Sequence, residues 1–299
     1  MAIRLVHTLL LAQSIILLCA CQTTPNYHLI YPQVVPTGVT TWQQDITEDG
    51  LQIHFSWAKP IGKGPFPTVM VHPHGGKTTD EMEGVILDLA KRGFLAVAVD
   101  YKRLLDGKYQ RTTFVWKSEA DITRSLEIIR HSQWVDPDRI AALGFSQGGM
   151  FSLIIAANAP NKLKTVIAYY PVADFNDWLN NPRGFFEGIA YNFIRAYFYD
   201  ESRASSEQQF QQILKKASPM TYANQINVPV LLIHGSADTT APVDQSEKLY
   251  AKLKALHKDV KLIIVPGAVH IFNFRQQQQS KFAWEKTILW LKQHLETDE

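Results

Sequence analysis

The sequence predicts an α/β protein: a mostly parallel central sheet flanked by helices on both faces, with a small helical insertion as a partial cap. Three observations carry that expectation. Short, continuous apolar runs at residues 68–71, 94–99, 139–143, 165–170, 230–234 and 260–265 have the composition of strands buried on both faces. Segments with helical spacing of apolar residues lie between them, which implies right-handed crossovers and parallel neighbours. Third, one apolar run enters a glycine-flanked serine turn, Gly144-Phe145-Ser146-Gln147-Gly148-Gly149, and a small-residue apolar stretch leaves it.

Taken in order, the first residues are not fold. Arg4 precedes the apolar stretch at 9–18, and small residues follow. This is the layout of a secretory signal, residues 1–20, with an apolar core too short to span a bilayer. Leu18-Cys19-Ala20-Cys21 resembles the lipobox of bacterial lipoproteins. That resemblance implies cleavage before Cys21, lipid modification of Cys21, and a place in the bacterial cell envelope. By the same resemblance, Gln22 rather than Asp after the anchor implies the outer membrane. Residues 21–40, with Pro25, Pro32 and Pro36, read as a tether to a domain at 41–299. The chain has two cysteines, Cys19 and Cys21, so the mature fold has neither a disulfide nor a cysteine metal site.

Residues 41–57 alternate around the turn Glu48-Asp49-Gly50 and predict an opening antiparallel hairpin. A loop at 59–65 leads to a buried strand at 66–72, broken by His72-Pro73-His74-Gly75-Gly76. Met82, Val85, Ile86 and Leu89 share one face of a helix over 80–92, closed by Gly93. The strand at 94–99 closes at Asp100-Tyr101, and a long amphipathic helix covers 113–131. After the serine turn and the strand at 165–170 the pattern changes. Residues 172–227 are rich in aromatics, among them Phe175, Trp178, Phe185, Phe186, Phe193 and Phe198, and predict the helical insertion. Strands at 230–234 and 260–265 alternate with helices at 241–256 and 280–295. The glutamine run 276–279 reads as a solvated loop or helix start.

Composition excludes some partners. With 46% hydrophobic residues, 19% charged residues and a formal net charge of +2, the chain can build a large core and offers no polyanion-binding surface. No basic, aromatic-interleaved patch supports nucleic-acid binding.

Gly144-Phe145-Ser146-Gln147-Gly148 is a G-x-S-x-G pattern at a strand-to-helix turn, the nucleophile elbow of α/β-hydrolases. The competing reading is an ordinary turn with a capping serine. A serine hydroxyl needs a base to take its proton, and the base needs an orienting carboxylate. Sites in such sheets lie at strand carboxyl ends, and elbow enzymes run in the order serine, acid, histidine. Asp238 follows the strand at 230–234 in His234-Gly235-Ser236-Ala237-Asp238. His270 follows the last strand in Pro266-Gly267-Ala268-Val269-His270. Singly they read as a helix-capping aspartate and a packed loop histidine; together, in order, they predict a triad with Ser146. Asp174 and Asp177 compete for the acid, and His72, His74, His234 and His257 lack the chain position of His270. The oxyanion donors are expected at the Gln147 N–H and in the His74-Gly75-Gly76 loop. Gly75, Gly76 and Lys77 are the candidates there, and Gly76 is the choice.

With these residues in place, residues 64–295 resemble the α/β-hydrolase domain of the prolyl oligopeptidase and dienelactone hydrolase group. The resemblance rests on Gly64-Pro65-Phe66-Pro67, His74-Gly75-Gly76, Asp136-Pro137-Asp138-Arg139-Ile140, the elbow, Ser218-Pro219-Met220-Thr221-Tyr222-Ala223, Val228-Pro229-Val230 with Asp238 and Pro242, and the stretch ending at His270. It implies hydrolysis through an acyl-enzyme on Ser146, with no metal or organic cofactor. The oligopeptidases of the group carry a large amino-terminal propeller. Only about forty residues separate Cys21 from the first apolar strand, too few for a domain. The expectation is therefore a lipid-anchored carboxylic esterase. A peptidase acting on short peptides and a non-catalytic envelope lipoprotein are the alternatives.

Overall fold

The computed structural model describes residues 30–105, 107–111, 115–180 and 189–296. The expected signal, residues 21–29 of the expected tether with Cys21, and Phe185 and Phe186 lie outside the described residues. The chain opens with a hairpin of β1 (Val39–Glu48) and β2 (Leu51–Pro60). Its two-residue turn, Asp49-Gly50, takes positive φ at both positions, which matches the right-handed twist of the strands. Next come β3 (Phe66–His72), α1 (Glu83–Lys91), β4 (Leu95–Leu105), β5 (Lys108–Arg111) and α2 (Val115–Arg130). The elbow strand β6 (Val135–Phe145) runs into α3 (Gln147–Asn158), followed by β7 (Thr165–Tyr169). The insertion supplies α4 (Phe175–Asn180), α5 (Ile189–Ser202) and α6 (Glu207–Ala217). The last elements are β8 (Val230–Gly235), α7 (Asp244–Ala255), β9 (Val260–Val265) and α8 (Gln277–Leu295).

The strands lie in the order β1-β2-β4-β3-β6-β7-β8-β9, with β5 hydrogen-bonded to the outer end of β4. The β1–β2, β2–β4 and β4–β5 pairs are antiparallel, and the neighbours from β4 through β3 to β9 are parallel. Alternate residues of one strand feed two cores. Met70, Val97 and Val99 pack beneath α2, α3 and α7, whereas Val69, Val71, Ala96 and Ala98 pack beneath α1 and α8. Burial on both faces is what the unbroken apolar runs encode, and each fully buried Val, Ile or Leu contributes about 1.5–3 kcal/mol.

Two features depart from the expected boundaries. β4 continues to Leu105 instead of closing at Tyr101, because residues Leu51 to Ala58 of β2 pair with it on one edge and β5 folds back on it. Nor is the whole of 21–40 outside the body: Tyr31 is buried in the core beneath α1 and α8, and β1 already starts at Val39.

Candidate active site

The carboxyl ends of β6, β8 and β9 bring three predicted residues together. Ser146 sits between β6 and α3 at φ 53° and ψ −115°, a sparsely populated conformation held by its surroundings. Glycines make that turn possible. A Cβ on Gly144 would lie 1.9 Å from the Gly148 carbonyl oxygen, and one on Gly148 would lie 2.2 Å from the His72 carbonyl oxygen. The elbow is thus pressed against the end of β3. Although Ser146 occupies the helix-capping position, its hydroxyl makes no capping bond. The hydroxyl lies 3.0 Å from His270 Nε2.

His270 Nδ1 lies 2.7 Å from Asp238 Oδ2. A carboxylate only accepts, so Nδ1 carries the proton and Nε2 is free to accept from Ser146. The other Asp238 oxygen, Oδ1, accepts from the backbone N–H groups of Thr240 and Ala241, both at 2.9 Å. Asp238 therefore fixes its own turn as well as the imidazole. Burial works against its charge, but the His270 imidazole and hydrogen bonds from His234 and His270 outweigh burial and hold the carboxyl at about 2.

The competing residues have other partners. Asp174 Oδ1 accepts from Asp177 N at the start of α4, and Asp177 accepts from Gln245 Nε2 at 2.8 Å and pairs with Lys248. Gln245 Oε1 accepts from the backbone of Ala173 and Asp174. Trp178 of α4 donates its indole N–H to the Thr240 carbonyl at 2.8 Å. The insertion is thereby fastened to the acid loop and to α7, with Phe175, Trp178 and Phe198 packed edge to face. His234, fully buried, donates Nε2–H to the Ala241 carbonyl at 2.7 Å and accepts from Ser246 at Nδ1, so it braces the loop of Asp238. His72 lies in a buried chain: Nδ1 contacts Ser152 Oγ at 3.0 Å, Nε2 contacts Tyr101 Oη at 3.0 Å, and Ser152 donates to the Gly148 carbonyl. Burial holds the His72 imidazole neutral, at about 3. Burial lowers His74 to about 4.

Gly75 faces the Gln147 side chain, its Cβ position 3.5 Å from Oε1, and Gly76 takes φ +74°. The predicted oxyanion loop therefore lies along the residue that follows the nucleophile.

Some supporting residues were not singled out for the site by the sequence. Gln276 was expected only as a solvated loop or helix start. Its Oε1 accepts from Val269 N at 2.8 Å and its Nε2 donates to the Gly267 carbonyl at 3.2 Å, bracing the turn that carries His270. Tyr170, buried at φ 38°, sets its ring 4.9 Å from the His270 ring at 63°. Neither role has a motif; for Tyr170 the signal available was its place directly after β7. Among the described residues, no group of three or more His, Cys, Asp or Glu side chains could hold a metal ion.

A glycine-pinned elbow serine, an imidazole and a buried carboxylate on a mostly parallel sheet define the serine-hydrolase class. The sequence profile of the prolyl oligopeptidase family matches residues 87–298, and the chain belongs to that family. It is similar to the acylamino-acid-releasing enzyme of Rattus norvegicus, 26% identical over 255 residues, covering 80% of this chain and 33% of that enzyme. The chain thus spans about a third of that relative's length. The acylaminoacyl peptidase structure from Pyrococcus horikoshii superposes with TM-score 0.69 at 19% identity, covering 88% of this chain and 43% of that one. Acetyl xylan esterase 1 from Thermoanaerobacterium sp. JW/SL YS485 superposes with TM-score 0.63 at 21% identity, covering 90% and 89%. These likenesses show the α/β-hydrolase fold.

Proposed function

We propose that this protein cleaves carboxylic esters through an acyl-enzyme on Ser146 and is held to the bacterial envelope through a lipidated Cys21. One observation carries the catalytic part: the continuous hydrogen-bonded chain from Ser146 through His270 to Asp238. Ser146 Oγ attacks the ester carbonyl carbon as His270 Nε2 takes its proton. Asp238 orients the ring and stabilises the imidazolium. The N–H groups of Gln147 and Gly76, with Gly75 in the same loop, receive the oxyanion; one such donor is worth about 3 kcal/mol of barrier. The tetrahedral intermediate collapses, the alkoxide leaves with the proton from His270, and water reverses the sequence to release the acid.

The preference for esters is supported by the aromatic insertion fastened beside the acid loop, a wall suited to uncharged acyl or aryl groups. It is also supported by likeness to an acetyl xylan esterase along most of that protein's length. Cleavage of short peptides is the second reading, favoured by similarity to the acylamino-acid-releasing enzyme.

A fluorophosphonate probe should label the wild type and not Ser146→Ala, with ester turnover falling by about 10⁴ to 10⁶. A p-nitrophenyl ester series run beside aminoacyl and dipeptidyl amides separates the two substrate readings. Amide turnover well above ester turnover overturns the esterase. Lipidation is read by metabolic labelling with palmitate, which Cys21→Ala should abolish.

A further inference from the structure

The segment that leads into the fold reaches the catalytic machinery through one aromatic ring. Tyr31 is 3% exposed. Its ring stands edge-on to Trp284 at 5.1 Å and lies 5.9 Å from Phe274. Phe274 belongs to the short 3-10 turn Phe272–Phe274 that directly follows His270 and Ile271. The same ring is 5.3 Å from Phe145, the residue before the nucleophile, and 5.7 Å from His74 in the predicted oxyanion loop. Phe274 therefore touches the elbow, the oxyanion loop and Tyr31 while sitting in the histidine's own turn. α1 is shaped to admit Tyr31. A Cβ on Gly84 would lie 2.7 Å from Tyr31 Cβ and 3.0 Å from the Pro32 carbonyl oxygen.

We propose that Tyr31, acting through Phe274, is a positioning residue for Ser146, His270 and the His74-Gly75-Gly76 loop, so that the entering segment is part of the active-site support. The inference rests on the hydrolase reading of Ser146. Aromatic rings in van der Waals contact transmit a shift because packed side chains have few alternative arrangements. Withdrawal of Tyr31 leaves one face of Phe274 uncovered, and relaxation of Phe274 moves three groups that must share one geometry. Misplacement of about 1 Å in such a constellation costs on the order of a hundredfold in rate.

The test uses the full chain and the second-order rate of fluorophosphonate labelling, with kcat and KM on a p-nitrophenyl ester alongside. Tyr31→Phe keeps the ring and should label within about twofold of the wild type. Tyr31→Ala removes the ring, and Gly84→Ala displaces the segment without altering any residue of the site. Both should label about tenfold or more slowly, with kcat falling and KM within about twofold. Tyr31→Leu replaces Tyr31→Ala if the latter does not fold. Leu253→Ala in the opposite core serves as a control that lowers Tm while labelling at the wild-type rate. A smaller slowing in either Tyr31→Ala or Gly84→Ala overturns the proposal, and so does an equal slowing in Leu253→Ala. A wild type that takes no label overturns the hydrolase reading and this inference with it.

Discussion

Acid should destabilise this protein through a histidine that does no chemistry. His72 is fully buried, its two ring nitrogens are occupied by Ser152 and Tyr101, and burial lowers it from 6.5 to about 3. The unfolded chain takes up that proton near pH 6.5 and the folded chain does not. The His72 contribution is therefore fully present above pH 6.5 and is lost as pH falls toward 3. Linkage puts the loss from this one site at about 0.2 kcal/mol at pH 7 and about 2 kcal/mol at pH 5. That is a large part of an ordinary folding free energy of about 5–15 kcal/mol. His74 adds a change of the same sign, reduced by its partial exposure. The assay is urea unfolding at pH 7 and pH 5 for wild type and His72→Gln, a side chain that keeps polar contacts and does not titrate. The wild type should lose about 2 kcal/mol more than the variant between the two pH values, with the other titrating groups cancelling in the difference. Equal losses in the two proteins would refute the assignment of a neutral, proton-excluding His72.

Other outcomes follow from the site. Asp238→Asn should lower kcat on p-nitrophenyl acetate about 10⁴-fold, whereas Asp177→Asn, whose carboxylate pairs with Lys248, should stay within about threefold because it does not touch His270. Full activity in Asp238→Asn would move the acid elsewhere. Gly148→Ala sets a Cβ 2.2 Å from the His72 carbonyl and should cost about 3 kcal/mol or more in stability along with fluorophosphonate labelling; wild-type Tm and labelling would contradict the packing of elbow against β3. Gln276→Ala frees Val269 N–H and the Gly267 carbonyl and should reduce kcat about tenfold through a looser His270 turn. An unchanged kcat in steady-state assay would remove Gln276 from the support.

The sequence made some parts of this molecule legible and hid others for identifiable reasons. The inner strands announce themselves because both faces of Val69-Met70-Val71 and of Leu231-Leu232-Ile233 are buried, which leaves no room for polar alternation. The elbow is readable because the clashes a Cβ would make at Gly144 and Gly148 leave those positions to glycine. The continuation of β4 past Tyr101 was not readable, since Lys102 and Arg103 look like the end of a strand until β2 and β5 supply partners. His72 and His234 were visible as residues but not as supports. The Ser152 that holds His72 lies 80 positions away, and no local pattern encodes it. Tyr31 was hidden for a similar reason. It sits among prolines in a segment that reads as linker, and only the absence of a Cβ on Gly84 makes room for it. Gln276 looked like one of four equivalent glutamines, and its turn is what singles it out.

The fastening of the insertion bears on how this protein could diversify. Trp178 packs with Phe175 and Phe198 in the insertion, and its indole N–H holds the Thr240 carbonyl, two residues from Asp238. Asp177 and Gln245 tie the same helix to the loop after β7 and to α7. With the insertion walling the site as proposed, a lineage that enlarged its substrate range by trimming Trp178 would loosen the acid loop in the same step, so gain in scope and loss of rate would be inherited together. Variation in specificity should therefore accumulate first at insertion positions that fasten nothing, and a replaced Trp178 should be accompanied by a new donor for the Thr240 carbonyl.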